Sequence, residues 1–575
     1  MSHARHATKE SVKDTLISII IAFVLAFVFR SFVIEAFIIP TGSMAPTLMG
    51  AHMRFTDRQT GGTWAVGPRD FGMPDASGQA EPLALQGAPI TGRGGVPIDR
   101  PMIVHEPNTG AERREANVPR RAGDRILVLK FLYMLQDPAP FDVVVFKNPG
   151  TPAVNYIKRL IGRPLEQVAL VDGDIFVRDA ALGVPTGPAD DPASVWEQPG
   201  WTIRRKPARV EHAVWQPVYD TFHAPAEPGT MADGFRQPWV GAGAGWRIDG
   251  AARSIGYEGA GPARLEWDSA APWIRQTTDP ASGALLEPQR TREVGDRYPY
   301  NESTPGASMR ATFPVSDVRL RANIELRPGA DPARARLAGV VVARGHEFVG
   351  EITGETARVK MRPVPTARTP EPAWTVLAEA PVGRLAVGAA RRFEFWHADQ
   401  RLSLWLDGGQ VVSGQYDWSP AERIAFSTGR SLRDVLGGPT AAPANPLADP
   451  SIYSRPALRF EIDGGPCTLY RVGLDRDLYY QPTVRGGLPA RATHPSTTIT
   501  LGAGQYFVCG DNSPASEDGR LWRDPDPWVA EQIDETPGIV PRKLMLGKAF
   551  FVYFPALAGS SPIPMPDFGR MRFIQ

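Results

Sequence analysis

Cysteine is nearly absent. Cys467 and Cys509 are the only two in 575 residues, which excludes a cysteine-built zinc site and a disulfide framework. One bridge between them would need an oxidising compartment, and a small buried thiol is the commoner fate of a free cysteine. An excess of charge is lacking too: 63 Lys and Arg stand against 62 Asp and Glu. That balance leaves no electrostatic footprint for nucleic acid. Histidine is scarce, with nine residues. None of them, His52, His105 and His494 included, falls in the motifs described below. Long apolar runs are lacking beyond a single one near the N-terminus. Glycine and proline are plentiful, 57 of each. They disfavour long helical bundles and favour a mainly β chain of short strands and turns, and the length suits two to four domains.

Arg5, Lys9 and Lys13 precede the apolar run Thr15 to Phe29. The run is shorter than the ~20 residues of a full span, but Arg30 can snorkel and Phe32-Val33-Ile34 extend it. This predicts a transmembrane anchor over 15–33 behind a cytoplasmic tail, 1–14, with the rest of the chain outside. A cleaved signal peptide is the competing reading, although no small-x-small site follows at the usual distance. Next comes Ile38-Ile39-Pro40-Thr41-Gly42-Ser43-Met44-Ala45-Pro46-Thr47-Leu48. Two prolines and a glycine shape a bend that presents Ser43, with the Thr41 hydroxyl two residues earlier pointing the same way. Taken alone, the segment reads equally well as a Pro/Gly turn leaving an anchor.

Two further stretches carry chemistry. In Asn155-Tyr156-Ile157-Lys158-Arg159-Leu160-Ile161-Gly162 a strand period puts Tyr156, Lys158 and Leu160 on one face. Lys158 is then either a snorkelling surface lysine or a desolvated amine with its pKa pushed down far enough to act as a base. Gly510 to Arg520 follows the apolar strand Tyr506 to Cys509 and is dense in turn-formers. On composition alone it is a polar loop.

Together, Arg30-Ser31-Phe32-Val33-Ile34-Glu35, Pro40-Thr41-Gly42-Ser43-Met44, Tyr156-Ile157-Lys158-Arg159, and Gly510-Asp511-Asn512 with Ser516-x-Asp518-x-Arg520 resemble bacterial signal peptidase I, in family order. The resemblance implies a signal-peptidase-type β catalytic domain and a membrane-bound serine endopeptidase on the outer side of the bacterial cytoplasmic membrane. Its partners would be the lipid bilayer and secretory preproteins cut after Ala-x-Ala-like sites, without cofactor or metal. It further implies Ser43 as nucleophile and Lys158 as general base. Thr41 would join the oxyanion hole, Ser516 would orient the lysine, and Asp518 and Arg520 would brace their loop. Phe37, Ile39, Pro40, Met44, Leu48 and Tyr156 would line shallow substrate pockets. Gly519 and Ser513-Pro514 depart from the family pattern. Two alternatives stay open: a membrane-anchored binding protein with a vestigial protease domain, and a self-cleaving Ser/Lys protease.

The stretch between Gly162 and Gly502 far exceeds what such a domain needs. Val171-Asp172-Gly173-Asp174-Ile175-Phe176-Val177 reads as a hairpin of the catalytic sheet. From Val318 a strict alternation, then short strands and the turn Asp407-Gly408-Gly409, predict an inserted β-sandwich of jelly-roll type. Phe393 to His397 and Leu404 to Gly408 resemble the laminin-G/concanavalin sandwich, which leaves a glycan or a protein as its partner. The expected domains are 34–178 with 479–575 (catalytic), 179–310 (irregular, Pro/Gly-rich) and 311–478 (sandwich). No catalytic motif lies between Ala311 and Leu474, so excision of that stretch is expected to leave cleavage intact.

Overall fold

The computed structural model describes residues 3–28, 32–67, 102–115, 118, 121–183, 191–227, 235–274, 277–278, 285–287, 290–302, 312–437, 445–485, 488–555 and 568–575. Arg30 and Ser31 of the family motif lie outside them.

The mainly β expectation is met, but the transmembrane helix is not. The first element is a helix, His3–Val28, that takes in most of the expected tail. Among the described residues no helix is long and apolar enough to cross a membrane. The uncharged part of this one, Thr15 to Val28, rises about 21 Å at ~1.5 Å per residue, against a hydrocarbon core of ~30 Å. The residues expected to lengthen it go elsewhere. Ile34 opens the strand Ile34–Ile38, which pairs antiparallel with Arg125–Leu129 at the edge of the main sheet.

That sheet runs Ile34–Ile38, Arg125–Leu129, Met545–Phe554, Val143–Asn148, Thr151–Gly162, Gln505–Cys509 and Val540–Pro541, with Arg572–Phe573 on Met545–Phe554. It assembles the motifs from three distant parts of the chain. Alternation along its strands buries Ile126, Val128, Val143 and Val145 with Ile39, Met44 and Leu48 in one core. Tyr133, Val144, Phe146, Leu160 and Val508 fill a second. Asp172 (φ 48°) and Gly173 (φ 86°) turn the chain between Glu166–Val171 and Asp174–Asp179. Two successive positive φ values are what a two-residue I′ hairpin requires.

The insertion is a sandwich of two antiparallel sheets. One runs Trp246–Asp249, Ser254–Tyr257, Cys467–Arg476, Val318–Leu326, Arg391–Ala398, Arg401–Leu406 and Gly409–Gln415, with Gln216–Asp220 also on Cys467–Arg476. The other runs Trp239–Ala242, Ala263–Trp267, Ala457–Asp463, Arg336–Ala343, His346–Thr353, Thr356–Pro363 and Thr375–Pro381. Leu320, Ile324, Phe393 and Leu404 from the first sheet share a core with Leu337, Val341, Phe348 and Phe460 from the second. Residues 179–310, expected to be irregular, therefore supply five of these strands. All five are four or five residues long. At that length, among glycines, prolines and tryptophans, no period stands out.

Candidate active site

Strand pairing explains how the three motifs meet. Cys509 faces Arg159 across the sheet, so the chain leaves its strand at Gly510 directly beside Lys158. On the other side, Ile39 N–H donates to the Asp124 carbonyl and Ala51 N–H to the Pro40 carbonyl, closing the bend around the serine. Thr41 is extended, with φ −112° and ψ 160°, and leads into a single 3-10 turn, Gly42–Met44.

Ser43 and Lys158 are in contact. The Lys158 Nζ donates to Ser43 Oγ at 2.6 Å, and the Thr41 hydroxyl lies 3.4 Å from the same oxygen. Both dyad side chains are buried, Ser43 at 7% and Lys158 at 3% exposure. Burial pushes the Lys158 amine down to about 8, although the Asp518 carboxylate favours the charged form. The Tyr156 ring sits 5.5 Å from Nζ on the face that strand alternation assigns to it.

The loop after Gly510 is held by its own charges. Arg520 donates from Nε and Nη2 to the two Asp518 oxygens at 2.9 and 2.8 Å, and from Nη1 to Ser513 Oγ at 2.7 Å. Asp518 in turn accepts from Gly510 N–H at 2.9 Å. The expected bond from Ser516 to Lys158 is not formed. Ser516 Oγ is buried without a hydrogen-bond partner, and the lysine donates to Ser43.

The expected pocket residues divide into two groups. Ile39, Met44 and Leu48 are at most 2% exposed and belong to the core beneath the serine. Phe37, Pro40 and Tyr156 keep partial exposure.

Two features inside the motifs escaped the sequence reading. Arg159 and Asp511 form a fully buried bidentate pair at 2.8 and 2.7 Å, with Arg159 also donating to the Phe141 carbonyl. Asn512 grips the serine turn, its N–H donating to the Ser43 carbonyl at 3.0 Å and its Nδ2 to the Gly42 carbonyl at 2.9 Å. Each lies next to a residue already singled out, and that adjacency was the available signal.

The sequence matches the family described as signal peptidase, peptidase S26, over residues 12–70, 115–200 and 481–554. These three segments supply Ser43, Lys158 and the 510–520 loop. These matches support a member of the signal peptidase I family. Among its relatives, signal peptidase I of Pseudomonas aeruginosa is 32% identical over 114 residues, 19% of this chain and 36% of that protein. Signal peptidase I of Rickettsia typhi is 37% identical over 59 residues, 10% of this chain and 22% of that protein. The chain thus spans between about a fifth and about a third of the length of the curated relatives it matches. Among solved structures, carbohydrate-binding module CBM66 from Bacillus subtilis is similar at 8% identity and TM-score 0.22, over 42% of this chain and 96% of that one. A galectin of Caenorhabditis elegans, LEC-6, matches at 11% identity and TM-score 0.16, over 28% of this chain and 82% of that one. The family match skips residues 201–480, so what the sandwich contributes has to be argued from its own contacts.

Proposed function

We propose that the chain is a serine endopeptidase that removes signal peptides from exported preproteins, with Ser43 as nucleophile and neutral Lys158 as general base. The observation that carries this reading is the 2.6 Å contact between Lys158 Nζ and Ser43 Oγ inside a buried site. A serine hydroxyl is a weak nucleophile until a base takes its proton, and a lysine can do so only when uncharged. Burial supplies the uncharged amine. Ser43 Oγ attacks the scissile carbonyl carbon as its proton passes to Nζ. The Ser43 N–H and the Thr41 hydroxyl receive the developing oxyanion, the kind of preorganised contact worth roughly 3–4 kcal/mol in the barrier. The Lys158 ammonium then protonates the leaving amine. A water deprotonated by the same lysine opens the acyl-ester.

The homology suggests association with a membrane, where secretory preproteins are met. Specificity would follow from which of the expected pocket residues stay accessible. With Ile39, Met44 and Leu48 committed to the core, Phe37, Pro40 and Tyr156 are the partly exposed residues left to meet the substrate. They would take the small side chains of an Ala-x-Ala site.

The test is incubation of the purified chain with a preprotein, with the new N-terminus read by mass spectrometry. Cleavage after the Ala-x-Ala site is expected, and none from a Ser43→Ala variant. A preprotein whose alanine before the cut is replaced by Leu should resist cleavage. Efficient cutting of that substrate would remove the pocket assignment while leaving the dyad intact.

A further inference from the structure

The serine turn is held from behind by residues of the insertion. Tyr298-Pro299-Tyr300-Asn301-Glu302 makes a short 3-10 turn, Pro299–Asn301, far from any family motif. Its far end is fastened by Glu302, which accepts from His105 Nδ1 at 2.7 Å and from Arg297 at 3.1 Å. Three side chains then reach the catalytic loops. Tyr298 Oη donates to the Asp511 carbonyl at 2.7 Å, and Tyr300 Oη to the Ala51 carbonyl at 2.6 Å. Asn301 and Asn512 exchange two amide hydrogen bonds, 2.7 and 2.8 Å. Asn512 uses its remaining capacity on the carbonyls of Gly42 and Ser43. The Tyr300 ring lies flush against Gly42, where an added methyl would come within 1.9 Å of Cε1. Gly42 has no left-handed φ, so the ring rather than the backbone is what requires glycine there.

We propose that Tyr300 and Asn301 are positioning residues of the peptidase, fixing the Ser43 turn through Gly42 and Asn512. The insertion then completes the active site and is more than a module appended to it. The argument rests on the Ser/Lys reading above. The physical need is plain: the Ser43 backbone sets both the aim of Oγ at Lys158 and the oxyanion N–H. A displacement of about 1 Å in such a geometry costs on the order of 10²-fold in rate. Among the described residues Asn301 is the donor to the Asn512 carboxamide oxygen, so its removal leaves Asn512 freer to rotate away from Gly42.

The experiment measures kcat and KM of the full-length chain on a signal-peptide substrate, with Ser43→Ala as the blank and melting temperature as the fold control. Asn301→Ala is expected to lower kcat about 10–100-fold with KM nearly unchanged. In an Asn512→Ala background the same replacement should cost nothing further, because Asn301 acts through Asn512. Tyr300→Phe keeps the ring over Gly42 and loses only the hydroxyl, and should give a smaller loss in kcat. It decides the matter if Asn301→Ala fails to fold. Gly42→Ala should be damaging beside Tyr300 and add nothing in a Tyr300→Ala background. Turnover within twofold of wild type for both Asn301→Ala and Tyr300→Phe overturns the proposal, as does an Asn301 effect of equal size with and without Asn512. If wild-type cleavage survives Ser43→Ala, the Ser/Lys reading falls and this one with it. If cleavage needs Ser43 and the variants are fully active, only the brace falls.

Discussion

Replacement of Lys158 by Met is expected to abolish useful turnover and, at the same time, to raise the melting temperature. The first effect follows from the loss of the general base, worth roughly 10²–10⁴-fold. The second follows from the burial that makes the base work. Folding brings the amine from an ordinary lysine value to about 8. A group that is mostly charged at pH 7 is therefore forced into a site that disfavours its charge. Such a shift costs about 3 kcal/mol at neutral pH, at ~1.4 kcal/mol per unit. The sign is that of a depressed lysine: the unfolded chain binds more protons, so stability rises with pH between about 8 and the unfolded value. Methionine removes the charge and keeps most of the volume. It forfeits the bond to Ser43, worth about 1 kcal/mol, and leaves a net gain of roughly 1–2 kcal/mol. Lys158→Arg should be inactive as well, because a guanidinium does not give up its proton. In the wild type, kcat/KM should climb with pH, pass its midpoint near 8 and level off above it, as the neutral amine accumulates. No imidazole limb is expected, since His52 is held neutral by burial, its pKa pushed down to about 4. A pH–rate profile and a thermal melt check both halves. A limb near ~6.5, the ordinary imidazole value, that vanishes with one histidine would assign the base elsewhere.

The candidate site was legible because it sits in short motifs whose residues are adjacent in sequence. Ser43 and Lys158 were nameable before any geometry, and strand alternation correctly set Tyr156 beside the lysine. The Asp407-Gly408 hairpin was legible for a local reason, since both residues take positive φ, 52° and 83°. What escaped the sequence was whatever depends on distant partners. Thr15 to Phe29 resembles a span by composition, but helix length and the pairing of Ile34 with Leu129 decide its fate. The family resemblance implied Ile39, Met44 and Leu48 as pocket walls. The sheet beneath them claims their side chains for the core. Ser516 sits at the expected position, yet its hydroxyl is left without a partner. No pattern in the chain announces that Tyr300 meets Gly42.

Arg423→Met is expected to cost about 3–5 kcal/mol, the range for removing one partner from a buried ion cluster. Arg423 lies on the sandwich-side helix Pro420–Thr428 and is fully buried. Its Nε donates to Asp172 at 2.9 Å, and its Nη2 reaches Asp174 and Asp317. Arg344 joins Asp172 and Asp317 at 2.8 and 2.6 Å, and Lys206 holds Asp399 and Asp477 at 2.6 and 2.8 Å. Ser427 also donates to Asp172, and buried His397, Tyr416 and Glu211 complete the surroundings. Asp172 and Asp174 belong to the hairpin of the catalytic part, so this cluster fastens the sandwich to it. Burial, with Asp317 nearby, already keeps Asp174 well above the ordinary carboxylate range. Without Arg423 the Asp174 carboxyl should rise further and keep its proton in the folded state. The folded chain then binds more protons than the unfolded one above ~3.9, and stability falls as pH rises through that window. The deficit of Arg423→Met should therefore be larger at pH 8 than at pH 5, as measured by urea unfolding at each. A deficit under about 1 kcal/mol, the scale of an exposed pair, would mean that the cluster is already relieved by solvent. The same contacts reverse the expectation that Ala311 to Leu474 can be excised without harm. Excision removes Asp317, Arg344, Asp399 and Arg423, which strips Asp172 and Asp174 of their arginines and leaves Lys206 with Asp477 alone. It also strips Ala263–Trp267 of its neighbour Ala457–Asp463, and Ser254–Tyr257 of most of Cys467–Arg476. The segment that ends in Tyr300 and Asn301 runs straight on from those strands. The excised chain should lose Ser43-dependent cleavage along with its fold, and a soluble, active excision product would show that the catalytic sheet holds its serine unaided.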